Sequence, residues 1–314
     1  MTVPYMANSD AEIGSLSGSP RRLRREAIIK QALFGAAIVS VLISLLIVYA
    51  LLSEAWTFIR DIDWAVTWGQ IGWFPRRGIY DVRTLLIATF WVTAIAMLVA
   101  TPLGLGAAIY LAEYAHPRVR KILKPILEVL AGIPSVVLGF FALLWIAPNV
   151  VAHIGGEGGR GSILAAGIGV GVLTIPLIAS ISEDSMKAVP DALREASAGM
   201  GARKVSTTLR VVLPAAVSGL AAAMIVAVSR AMGETMVVFM AGGAADAAVY
   251  TSSPYDGSLT MTAAMASLAS GTDNVVGEGL TFQSLFFVGL LLFLITLVLN
   301  VIANAFVRRI REQY

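Results

Sequence analysis

The chain has 314 residues, of which 57% are hydrophobic and only 14% charged, against about 25% charged in a soluble domain. With a mean hydropathy of +0.80, this excludes a soluble globular enzyme and a disordered chain and leaves a polytopic membrane protein. Cysteine is absent and the two histidines, His116 and His153, lie far apart, so thiolate chemistry is excluded and neither a metal nor a cofactor is expected. No nucleic acid is expected as a partner, and the net charge of +3 says little about partners, since what matters is where the charges fall.

In chain order, residues 1–30 read as a disordered, basic tail. They are rich in Ser, Gly and Pro up to residue 20, and Arg21, Arg22, Arg24, Arg25 and Lys30 follow. Residues 31–310 are expected to form an all-α domain of six transmembrane helices. The first uncharged run, 32–52, has 21 residues, enough to cross a hydrocarbon core of about 30 Å at about 1.5 Å per residue. It is followed by 84–112, 129–152, 161–182, a run over 211–229 that resumes at 235–245, and 279–307. Backbone in lipid must bond to itself, so these are helices. Gly167, Gly169 and Gly171 in the fourth span predict close helix packing. Pro134, Pro176 and Gly233 are expected to interrupt their spans, with Ser135 adding a hydroxyl beside Pro134.

Six spans place both termini on one side. With the basic N-terminus in the cytoplasm, seventeen of the 23 Lys and Arg residues lie inside, five lie outside, and Arg230 lies within a span. That bias orients the chain. Trp56, Trp64, Trp68 and Trp73 predict that the 53–83 loop lies against the outer headgroups. The 246–278 loop, with Tyr250, Pro254, Tyr255 and Gly257, also faces outward and is the candidate for touching an extracytoplasmic partner.

An ATP-hydrolysing chain needs a phosphate-cradling GxxxxGK[ST] loop, and no Gly-Lys pair occurs here. The cytoplasmic loop 183–214 is the informative segment. Pro190 and Asp191 can start a short helix with Leu193 and Ala196 as apolar positions. Gly201 can turn the chain or admit another backbone. Residues 204–213 read as a second short helix, with Val205, Leu209, Val212 and Leu213 at helical spacing, and Pro214 can open a new helix. Such a helix–turn–helix is a docking knob or an amphipathic connector on the membrane surface.

Arg230 and Glu234 are four residues apart and are expected to share one helix face. An ionised group in the bilayer seeks a partner. The pair either neutralises itself as a structural bridge, or Arg230 offers its donor fork to an anion while Glu234 orients it.

Glu195-Ala196-Ser197, then Gly201, then Val211, Leu213 and Pro214 resemble the EAA coupling motif of bacterial ABC importer permeases, with Ser197 for Ala and Val211 for Ile as departures. The segments Thr101-Pro-Leu-Gly-Leu-Gly-Ala-Ala-Ile-Tyr-Leu-Ala-Glu-Tyr114, Leu130-Ala-Gly-Ile-Pro-Ser-Val-Val-Leu-Gly139 and Arg230-Ala-Met-Gly-Glu-Thr235 resemble the PstC/PstA family of phosphate-specific permeases, and the runs after Gly233 and Gly289 are more similar to its PstC branch. The resemblance implies a type I importer permease in the bacterial inner membrane. It implies a PstA-like permease partner, two PstB-like ATPase subunits and an extracytoplasmic PstS-like phosphate-binding protein. Glu195, Ala196, Gly201, Leu213 and Pro214 would couple to the ATPase; Arg230, Glu234, Ser135 and Pro134 would line the path of phosphate. A permease for sulfate or molybdate, or an ion-coupled secondary transporter, is the alternative, although residues 30–150 and 160–307 show no convincing inverted repeat.

Overall fold

The computed structural model describes residues 20–69, 71–155, 161–243, 248–270 and 279–310. The expected tail up to residue 19, Arg160, residues 244–247 at the end of the fifth span, residues 271–278 of the outer loop and Arg311 lie outside the described residues. The chain divides into two units, residues 1–53 and 54–314.

In the first unit, helix α1 (Pro20–Asp61) begins within the segment expected to be a tail. Leu33, Leu46 and Tyr49 are 67%, 63% and 70% exposed, and no described side chain of residues 24–53 is buried. A helix apolar all round is what a span offers to lipid.

The second unit starts with the last turns of α1. Phe58 stacks on Phe287 at 4.8 Å and meets Tyr80 edge-on at 5.1 Å. A short hairpin, β1 (Trp73–Phe74) and β2 (Ile79–Tyr80), turns through Pro75–Arg77 and Gly78 at φ 71°. Trp73 is therefore core, 2% exposed, and not an interfacial anchor as expected; Trp56 and Trp68 are exposed.

The centre is helix α2 (Val82–Ile109) against α5 (Ile163–Lys187). The expected glycine packing is present. A Cβ on Gly167 would lie 2.7 Å from the Cβ of Ile95, one on Gly171 2.9 Å from that of Val99, and one on Gly104 2.8 Å from that of Ile178. Any side chain there would force the helices apart, at about 1–3 kcal/mol. α5 runs through Pro176 unbroken, so that proline does not interrupt its span: it is buried, and packing holds the helix through it.

The third uncharged run is not one span from residue 129. Helix α3 (Pro117–Ala131) carries its first part and ends at Gly132. After Pro134, α4 (Ser135–Phe141) starts and continues as π-helix over Ala142–Val151. Pro134 lacks an N–H and holds an extended ψ of 131°, so the helix restarts there. Helix α6 (Asp191–Gly199) and helix α7 (Lys204–Thr207) form the two arms of the motif loop. A π-turn, Thr208–Val212, and Leu213–Ala215 lead into α8 (Val217–Gly233) across a 70° bend. The fifth span is thus bent at Ala216 and stops at Gly233; α9 (Met236–Ala241) resumes after it.

The 246–278 region is not simply an outer loop. Residues 258–264 are buried, and α10 (Met261–Ala269) packs on α2, where Met261 N–H donates to Thr89 Oγ1 at 3.0 Å. Helix α11 (Thr281–Ile310) completes the unit. Among the described residues five helices are long and apolar enough to cross a membrane, or six if the bent pair is one span.

Candidate functional site

The motif loop is built on a small apolar cluster. Met186, Val189, Val212 and Ala216 are buried with Ala108 of α2, and Leu193 and Leu213 pack against them. The outer face is left open: Glu195, Ala196 and Pro214 are exposed, as are Met200 (88%), Val205 (56%) and Leu209 (56%). The π-turn explains why the expected helical face splits, with Val212 inside and Val205 and Leu209 outside.

Gly201 turns the chain at φ 77°, which a side chain rarely adopts. Ala202 N–H donates to Ser197 O at 3.1 Å and Gly201 N–H to Ala198 O at 2.9 Å, closing α6. A Cβ at Gly201 would meet nothing within 4 Å, so the close approach considered for it does not occur within this chain. Ser197, the departure from the third Ala, bonds Thr207 through the two hydroxyls at 2.8 Å and ties the arms together.

Two ion-pair constellations escaped the sequence reading. Glu183, with no side-chain exposure, meets Arg120 Nε at 2.8 Å, Lys124 Nζ at 3.4 Å and Lys187 one turn on. Lys124 also donates to Asp184 at 2.9 Å, and that bond holds its ammonium above the ordinary lysine value. The other is Arg194 with Glu113, which sits in the π-turn Tyr110–Tyr114 at the end of α2. A visible signal existed for both: Glu183 and Lys187 are spaced for one helix face, and Arg194 directly precedes the motif glutamate.

The intramembrane pair differs from expectation. α8 ends at Gly233, and Glu234 has extended backbone, φ −68° and ψ 127°, so Arg230 and Glu234 do not share a helix face. No ion pair joins them among the described residues. Glu234 Oε1 accepts from Val237 N–H at 3.5 Å, over the start of α9, and Glu234 O accepts from Thr262 Oγ1 at 2.8 Å. Thr262 therefore holds the break open from α10. Arg230 is exposed in the last turn of α8, the end where the helix dipole favours a cation. Pro134 and Ser135 start α4 and make no hydrogen bond to Arg230 or Glu234 among the described residues; what adjoins that break is Gly139, one α4 turn further on, whose Cβ would lie 3.1 Å from Met236 O.

Residues 100–312 match the family model of the binding-protein-dependent transport system inner membrane component. The chain is 32% identical over 256 residues to the phosphate transport system permease protein PstC 1 of Mycobacterium tuberculosis (strain ATCC 25618 / H37Rv), covering 75% of each chain. It is 29% identical over 224 residues to the PstA 1 protein of the same strain, covering 71% of this chain and 70% of that one. A solved bacterial ABC transporter involved in import of the acidic polysaccharide alginate shares the fold, with a TM-score of 0.62 at 14% identity, over 93% of this chain and all of that one. With that match, and with its membrane-spanning helices, this multi-pass inner membrane protein belongs to the family of binding-protein-dependent transport system inner membrane components.

Proposed function

We propose that the chain is the PstC-type permease subunit of an ATP-driven phosphate importer. It would pair with a PstA-like permease, stand on two PstB-like ATPase subunits and receive phosphate from a PstS-like binding protein outside. Both termini would be cytoplasmic, with residues 1–30 as a basic cytoplasmic tail, and ATP would be hydrolysed by the partner subunits.

The observation that carries the substrate is Arg230. It is an arginine in a membrane helix, exposed and with no ion pair among the described residues. Burying a lone guanidinium in lipid costs several kcal/mol, so it faces water, substrate or the second permease. Its planar fork matches two oxygens of a tetrahedral oxyanion. Relatives named as phosphate transport permeases support phosphate over other oxyanions. Glu234 does not orient Arg230 by pairing with it; its carboxylate accepts from Val237 N–H in the first turn of α9 and leaves the guanidinium to the anion. On the other side of the molecule, the exposed apolar face of Met200, Val205 and Leu209, with Glu195 and Ala196 beside it, fits an ATPase groove, and Gly201, Leu213 and Pro214 shape it. ATP binding would move α6 and α7 and open the permease outward; hydrolysis would reset it.

The test is uptake into vesicles holding the purified complex of the chain with its partners. ATP-dependent entry of labelled phosphate, competed by unlabelled phosphate and not by sulfate or molybdate, is expected. Preference for sulfate or molybdate overturns the phosphate assignment, and uptake driven by an ion gradient without ATP overturns the importer.

A further inference from the structure

Arg194 uses every donor it has. Its Nε and Nη2 donate to Glu113 Oε1 at 3.2 and 3.0 Å, Nη1 donates to Val189 O at 2.7 Å and Asp191 Oδ1 at 3.1 Å, and Nη2 donates again to Met186 O at 2.8 Å. A guanidinium has five N–H donors, so none is left over. The acceptors come from three elements: the end of α2, the end of α5 with its exit, and the start of α6.

The position of this clamp matters. α6 leaves α5 through only Ala188, Val189 and Pro190, and its other end is the Gly201 turn. It could pivot about that short link. Arg194 bonds the carbonyls of Met186 and Val189, on either side of the link's start, and Glu113 ties it to α2 as well. The second arm needs no such device, because α7 runs on by backbone through Leu213–Ala215 into α8.

We propose that Arg194, held by Glu113, is a positioning residue that passes movement of α6 to the α2–α5 pair, while α7 drives α8 separately. The proposal rests on reading residues 191–213 as the ATPase-docking loop. α2 and α5 are locked together by the glycine contacts at residues 104, 167 and 171, so a force on one arrives at both. A lysine cannot replace the clamp, since an ammonium has three donors at one point and not five in a plane.

The chain contains no cysteine, so spin labels at Leu98→Cys on α2 and Val226→Cys on α8 report their separation in the reconstituted complex. ATP is expected to shift that distance in the parent complex. With Arg194→Gln the shift is expected to differ from the parent's, because α8 still follows α7 while the α2–α5 pair no longer follows α6, and phosphate uptake is expected to fall at least about tenfold while ATP hydrolysis stays within about twofold. Arg194→Lys should behave likewise, and Glu113→Gln, which keeps the two carbonyl contacts, should lie between. A shift in Arg194→Gln equal to the parent's, or hydrolysis falling in step with uptake, overturns the clamp. So does loss of assembly in both Arg194→Gln and Glu113→Gln, because the cluster would then serve folding alone. The distance does not involve substrate: a parent complex that moves with ATP yet takes up no phosphate defeats the substrate reading and leaves the clamp intact.

Discussion

Glu183 and Arg230 both carry charge on apolar helices, and their surroundings are opposite. Glu183 is fully buried among Arg120, Lys124 and Lys187. Arg230 is exposed and meets no acid among the described residues. The same contrast divides the motif loop, where Arg194 has all its donors satisfied and the adjacent Glu195 makes no bond among the described residues. Charges completed inside the chain build it. Charges left open wait for something outside it. The comparison separates what a substitution should do to stability from what it should do to transport.

The largest effect on stability is expected at Glu183. Glu183→Gln removes the one acid shared by three cations, leaving them mutually repelling, and should destabilise the chain by about 3 kcal/mol, toward the low end for a broken buried pair because the three cations are partly exposed. Thermal unfolding of the purified complex measures it. A melting temperature unchanged from the parent would show that the cations rearrange into solvent, and that the cluster is not structural.

Arg230 should give the reverse result. Arg230→Gln should alter stability by less than about 0.5 kcal/mol, as for a side chain without partners. It should lower phosphate uptake by about tenfold or more, the loss of a charge-assisted hydrogen bond of about 1.5–3 kcal/mol. Because Glu234 does not neutralise it, the double change with Glu234→Gln should not restore uptake. Restored uptake in the double variant would mean that the two residues pair in another state of the transport cycle, and Arg230 would move to the structural side of the comparison.

The smallest effect is a neutral counterpart. Ser197→Ala breaks the Ser197–Thr207 bond and should cost about 1 kcal/mol, read as a small fall in melting temperature with uptake nearly unchanged. A large loss of uptake with no change in stability would move Ser197 to the open face.

Much of this was legible in the chain. The long uncharged runs marked the apolar helices, although the third restarts after Pro134 and the fifth is bent and stops at Gly233. The spacing of Gly167, Gly169 and Gly171 anticipated the α5 contacts, and the separation from Glu195 to Gly201 and on to Pro214 marked the two-armed loop. Local periodicity misled where the backbone changes its own period. The expected face of Val205, Leu209, Val212 and Leu213 assumed one α-helix, but a π-turn intervenes. Arg230 and Glu234 were expected to share a face because helix was assumed to continue through Gly233.

The sequence by itself determined that this is a membrane protein of the importer type, because hydropathy and motif spacing are local properties and survive in one dimension. Only the tertiary structure decided which charges are satisfied. Glu113 reaches Arg194 across 81 residues, Arg120 reaches Glu183 from another helix, and the helix break at Glu234 is held by Thr262, 28 residues further on. A buried ion pair or a held-open break depends on which helices lie side by side, and that follows from packing of whole surfaces, chiefly the glycine contacts of α5, which no short window of residues contains.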